Sequence, residues 1–125
     1  MKRDIDLQRK ILFAIEEQYK PGEGQIFNLK IDGYDLDTVA EHCSLLYKQG
    51  LITSYTPQWA DDRIYFFTVG NLSPQGYDFL ELVRSDEIWD KTKEEVEEKK
   101  LPATIKILAE VAAVFSAKFL KELNT

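Results

Sequence analysis

Few residues in this chain have the types that chemistry needs, and their spacing decides most of what they can do. His42 and Cys43 would supply a base and a thiol nucleophile. As neighbours on a helix, however, they point about 100° apart and do not serve each other. The chain holds one histidine and one cysteine, with no glycine-rich phosphate loop and no convergent carboxylate pair, so the expectation is no catalysis. Asp32, Asp35 and Asp37 resemble the opening of a calcium loop. The twelfth position counted from Asp32 is Cys43, where a bidentate glutamate is required, so these acids read as turn and cap residues. No metal and no cofactor is expected.

Binding chemistry has more material. The outward face of a helix starting near Asp35 carries Asp37, Thr38, Glu41, Leu45 and Lys48. Base and phosphate readers are usually Arg, Lys, Asn and Gln, so two acids, one lysine and a leucine suit a protein surface better than a polyanion. The segment PQWADDR adds Asp61 and Asp62 against Arg63, and a net charge of -6 with a pI near 4.8 argues the same way. Against this stands the cluster Lys2, Arg3, Arg9 and Lys10, which can contact phosphates or simply form a solvated face paired with Asp4 and Asp6. Trp59 reads either as an exposed partner anchor or as a ring folded back on its sheet.

The elements that must position these residues are organised around Asp35 to Ile52. Leu36, Val39, Ala40, Cys43, Leu46 and Tyr47 recur on one helical face that must meet a core. Gly50 stands where a left-handed C′ residue ends a helix, and Leu51-Ile52 continue as strand. Helix, glycine and hairpin in this order are how a winged-helix domain leaves its recognition-type helix. A supporting helix immediately before it is missing, which weakens a helix-turn-helix reading.

The rest follows in order. Residues 4–19 predict an amphipathic helix with Asp4 or Asp6 at its start and Ile5, Ile11, Leu12, Ile15 and Tyr19 on one face; Phe13 lies off it. Pro21 to Gly24 stops it. Ile26 to Ile31 predicts a short strand, and Asp35 or Asp37 caps the central helix. Leu51 to Thr56 and Arg63 to Val69 predict the wing strands, with Pro57 to Asp62 as the tip. The second of these places Ile64 and Phe66 on one face and Tyr65, Phe67 and Val69 on the other. Ser73 as N-cap and Pro74 at N1 open a helix cored by Phe79, Leu80 and Val83. Ser85 or Asp86 opens a charged helix with a narrow stripe of Ile88, Trp89, Thr92 and Val96, and Pro102 at N1 starts a last helix.

That last helix is apolar over most of its circumference. Ile105, Leu108, Ala109, Ala112, Phe115, Phe119 and Leu123 form one stripe, while Ile107, Val111 and Val114 form another on nearly the opposite side. It therefore packs on its own domain with one face and offers the other to a second layer or a second chain.

At 125 residues, 44% hydrophobic and 30% charged, the composition is that of an ordinary globular domain. A lone cysteine fits a reducing, cytoplasmic setting. The opening MKRDIDLQRK has no apolar signal core, and charges interrupt the apolar C-terminal stretch, so no membrane span is expected.

Five blocks carry a resemblance: MKRDIDLQRKIL at the start, Gly33 to His42, LLYKQGLI at Leu45 to Ile52, LSPQGYDFL at Leu72 to Leu80, and IWDKTKE at Ile88 to Glu94. Together they resemble an uncharacterised family of small winged-helix-like proteins encoded in bacterial phage and prophage genomes. The resemblance implies a fold and a genomic setting but no activity.

The expected fold is α+β, a winged-helix-like domain over residues 1–100 with a small antiparallel sheet, followed by a C-terminal apolar helix over 101–125. The expected function is a non-catalytic regulatory binding module. A protein partner or a second copy is favoured, through Thr38, Glu41, Leu45, Lys48, Trp59, Ile107, Val111 and Val114. The alternative is a DNA-binding regulator using the central helix and wing, with phosphate contacts from Lys2, Arg3, Arg9 and Lys10.

Overall fold

The structure, a computed structural model, describes residues 1–124. Its helices begin where a short polar side chain can take up an orphan backbone N–H. Asp4 opens α1 (Ile5–Gln18) and Asp35 opens α2 (Leu36–Lys48). Ser73 accepts from the Gly76 N–H at 3.0 Å and opens α3 (Pro74–Val83). Ser85 opens α4 (Asp86–Glu98) and Thr104 opens α5 (Ile105–Leu123). The last helix thus starts three residues after Pro102, not on it. The reason lies in the preceding C-terminus: the Leu101 N–H donates to the Val96 carbonyl and Lys100 takes φ +54°, which keeps this segment outside the new helix.

Between the helices lie β1 (Ile26–Phe27), β2 (Tyr55–Ala60) and β3 (Arg63–Val69), antiparallel in the order β1-β3-β2. The fold is therefore α+β, and helices with a small antiparallel sheet are consistent with the winged-helix-like class. The chain divides into two compact units, Met1–Tyr77 and the part from Asp78 onward. The second unit includes α4 together with α5, whereas the expected boundary falls after Lys100.

In the first unit α1 and β3 both pack on α2. Leu7, Ile11, Leu12 and Ile15 of α1, Val39, Ala40, Cys43 and Leu46 of α2, and Phe67 and Val69 of β3 are buried. Two helix faces are rotated from their expected positions. On α1, Leu7 and Gln8 are inside, while Ile5 and Tyr19 are half-buried. On α2, His42 is inside and Tyr47 is exposed, because α1 covers the His42 side of the helix. The end of α2 is as expected: Gly50 has φ +80°, its N–H donates to Tyr47, and the Leu51 N–H donates to Leu46 at 2.9 Å. This pair of bonds is a Schellman motif, with Leu46 and Leu51 both buried as its apolar contact.

The strands differ from expectation at three places. β1 ends after two residues because Asn28 turns to φ +46° and its side chain, not its successor, accepts from the Phe67 N–H at 2.8 Å. β2 starts later and runs through Pro57 to Ala60, leaving a two-residue tip at Asp61-Asp62; Pro57 is tolerated because β2 is an edge strand. Upstream of it, Ile52 bridges Leu72 and the Thr53 N–H donates to Asn71. Third, the register shifts so that Gln58 faces Phe66 while Trp59 faces Ile64. Tyr65 is the extra residue, and this bulge reverses the alternation. Ile64, Phe67 and Val69 are buried, whereas Tyr65 is exposed.

In the second unit α4 lays Trp89, Thr92 and Val96 against Leu108 and Ala112 of α5. The polar side of α4 carries the pairs Glu87–Lys91 and Glu95–Lys99. Leu123, assigned to the inner stripe of α5 by its spacing, is exposed.

Candidate functional site

The histidine and the cysteine are part of the packing. Backbone N–H groups only donate, so the Asp4 N–H, 2.9 Å from His42 Nε2, makes that nitrogen an acceptor. The proton then sits on Nδ1, which donates to the Thr38 carbonyl at 2.8 Å. With both nitrogens engaged and the ring fully buried, His42 links the start of α1 to α2. Asp4 extends the link: its Oδ1 caps α1 through Leu7, and its Oδ2 accepts from the Tyr34 hydroxyl at 3.0 Å. That bond and the negative charge of Asp4 raise the Tyr34 phenol above its ordinary pKa. Burial pushes the Cys43 thiol up to about 12, so at neutral pH it is a protonated core group rather than a thiolate.

The aspartates of the loop separate. Asp35 caps α2 through Thr38 at 2.8 Å, and the bonds from Thr38 hold its carboxyl below the usual range. Asp37 reaches Arg63 at 3.5 Å and ties the first turn of α2 to the start of β3. Among the described residues, no group of three or more His, Cys, Asp or Glu is arranged to hold a metal ion. No described helix is long and apolar enough to cross a membrane.

Lys2 and Arg3 are exposed ahead of α1, while the Arg9 guanidinium lies 4.9 Å over the Phe13 ring and the Lys10 ammonium 5.7 Å from the Tyr34 ring. On the outer side of α2, Glu41 and Lys48 are exposed, and Thr38 and Leu45 are half-buried. The nearby hairpin tip is Asp61-Asp62.

What the first unit does present is aromatic. Trp59 is 54% exposed, on a strand rather than in the tip, and Phe27 and Tyr65 are 65% and 59% exposed. Phe27 and Phe66 stand on the sheet face turned away from α2, ring centres 5.6 Å apart. Phe27 is not among the residues expected at a site. Its signal was available as an apolar residue in a strand whose partner strand is apolar on both faces.

In the second unit Val114 is 55% exposed and Ile107 and Val111 are half-buried, so the second stripe of α5 is partly open. The sequence-predicted residues thus lie in two places: Thr38, Glu41, Leu45, Lys48 and Trp59 in the first unit, and Ile107, Val111 and Val114 in the second.

Comparison with known proteins gives two matches. Residues 2–102 match the family described as "Hypothetical protein (DUF2513)". An "Uncharacterized protein" of Haemophilus influenzae is 28% identical over 120 residues, covering 96% of this chain and 99% of that protein. No solved structure matches the chain.

Proposed function

The chain belongs to the DUF2513 family, and from that premise we propose that it is a non-catalytic binding module whose first unit docks a protein partner. The observation that carries this reading is the pairing of exposed aromatic rings with acid. Phe27, Trp59 and Tyr65 offer large, rigid apolar area of the kind that anchors protein interfaces. Asp37, Glu41, Asp61 and Asp62 surround the part of α2 and the hairpin that would enter a DNA groove, and they repel phosphates. A regulatory role in a cytoplasmic, phage or prophage setting is in keeping with the sequence blocks from Met1 to Glu94.

The order of α2 and hairpin keeps a DNA-binding regulator as the second reading, with phosphate contacts from the exposed Lys2, Arg3 and Lys10 and the half-buried Arg9. Fluorescence anisotropy with a pool of random duplexes at about 150 mM salt separates the two. The protein reading expects weak, non-selective binding there. It also expects a photo-crosslinking side chain at position 27 to capture one discrete protein in cells, with no such capture from position 97. Sub-micromolar, sequence-selective duplex binding would replace the protein reading with the DNA one.

A further inference from the structure

The rings of Phe13, Tyr34, Trp89, Phe115 and Phe119 each have a lysine or arginine of this chain over them. Trp59 is exposed and has none among the described residues, although an indole is the best of the aromatic rings for a cation. Its surroundings favour one. Trp59 pairs with the buried Ile64, so it stands on the α2 side of the sheet, on the edge strand β2. Asp61 and Asp62 follow it at the tip. Asp37 reaches Arg63 at 3.5 Å, which sets the first turn of α2 beside that tip. Glu41 comes one turn later and lies near Tyr55: burial first, and then the Glu41 charge, raise that phenol. Across α2 and the hairpin, Asp37, Glu41, Asp61 and Asp62 thus stand against Arg63, with Lys48 about 10 Å further along α2 than Glu41.

The main chain of β2 is open on the same side of the hairpin. The Gly70 N–H donates to the Ser54 carbonyl, and this fixes the alternation along the strand. Ser54, Thr56 and Gln58 turn their main-chain groups to β3, while Tyr55, Pro57 and Trp59 turn theirs to the free edge. Pro57 has no N–H, and the acids at the tip repel another acidic strand, so the edge is blunted against a second copy of this chain. Charge of the opposite sign meets no such barrier.

We propose that β2 accepts an extended, arginine-rich segment of a protein partner as an added strand, with arginines at alternate positions lying over Trp59 and toward Glu41. A guanidinium suits this place because its flat face stacks on the indole while its N–H fork meets a carboxylate. The inference rests on the reading that the first unit docks a protein, and it names the chemistry of that partner.

Fluorescence anisotropy of the full chain with a labelled peptide in which arginine alternates with threonine tests this at about 150 mM salt. Binding should show a Kd on the order of 100 µM. Trp59→Leu should weaken it about fivefold or more, and Glu41→Lys and Asp62→Lys should each do the same, all with unchanged far-ultraviolet circular dichroism. Glu97→Lys makes the same change of charge on α4 and should leave the Kd within about twofold. Methylating alternate main-chain nitrogens of the peptide should abolish binding in one of the two phases only, because every second N–H of an added strand faces β2. No binding up to about 1 mM, a loss that Glu97→Lys shares, or binding indifferent to methylation in both phases overturns the proposal. A protein still captured from position 27 would then leave the docking reading standing without the basic segment.

Discussion

Gly76 separates helix propensity from packing. It is the third residue of α3 and is buried, and its N–H donates to Ser73 Oγ at 3.0 Å. Propensity alone makes Gly76→Ala stabilising by about 1 kcal/mol. The structure says the opposite. A Cβ at this position would lie 2.0 Å from the Leu51 carbonyl oxygen and 3.0 Å from its carbon. The backbone must retreat roughly 1 Å before even a tight 3.0 Å contact is reached. Leu51 is not free to retreat: its carbonyl accepts the Ser73 N–H at 3.0 Å, the Gly50 carbonyl accepts the Ser73 hydroxyl, and Ile52 bridges Leu72. Moving it strains two hydrogen bonds worth about 1 kcal/mol each and adds an overpacking cost of about 1–3 kcal/mol. After the propensity gain is subtracted, the net loss is about 2–4 kcal/mol. Urea unfolding followed by circular dichroism measures it directly, as a lower midpoint at unchanged slope. An alanine variant as stable as the wild type, or more stable, would refute the close approach of α3 to the Leu51 carbonyl.

Four further outcomes are expected. Leu46→Ala, at a fully buried site, should cost about 2–5 kcal/mol, and Leu45→Ala, half-buried, under about 1 kcal/mol; denaturant melts should rank them so. Gln8 is buried with neither amide atom hydrogen-bonded among the described residues, so Gln8→Leu should raise stability by about 1–2 kcal/mol in the same assay. Lys100→Gly should stabilise by about 0.5–1 kcal/mol, because φ +54° costs a residue bearing a Cβ more than it costs glycine. Burial raises the Tyr55 phenol from 10.0 to about 12, so the folded chain keeps a proton that the unfolded chain loses. Its contribution is whole below pH 10 and is lost as pH rises from 10 toward 12. Wild type should therefore lose more stability than Tyr55→Phe across that window, and equal slopes in alkaline melts would contradict the burial of this phenol.

Much of the fold was legible because local rules and packing agree in this chain. Ser73, Ser85 and Gly50 do what their chemistry favours wherever they occur, and β3 has the bounds its β-branched and aromatic run implies. The misreadings fall where a tertiary contact overrules the local signal. Alternation along Arg63 to Val69 fails at Tyr65 because one extra residue in the pairing turns Ile64 inward, and a period-two rule has no symbol for an insertion. The expected strand from Ile26 to Ile31 fails because Asn28 replaces a ladder bond with its own side chain.

His42 is the instructive case. The spacing Val39, His42, Leu46 is core spacing, but the residue type reads as polar, so the expected buried face of α2 is rotated toward Tyr47. A histidine can go inside when both ring nitrogens find partners, and here the partners are main-chain groups, the Asp4 N–H and the Thr38 carbonyl. Main-chain partners leave no trace in residue types. Asp4 announces itself only as a helix cap, although it also holds Tyr34 and His42. The same logic explains why the surface was harder to read than the core. An exposed Phe27 and a buried Phe67 are the same letter, and only the side of the sheet that α2 covers distinguishes them.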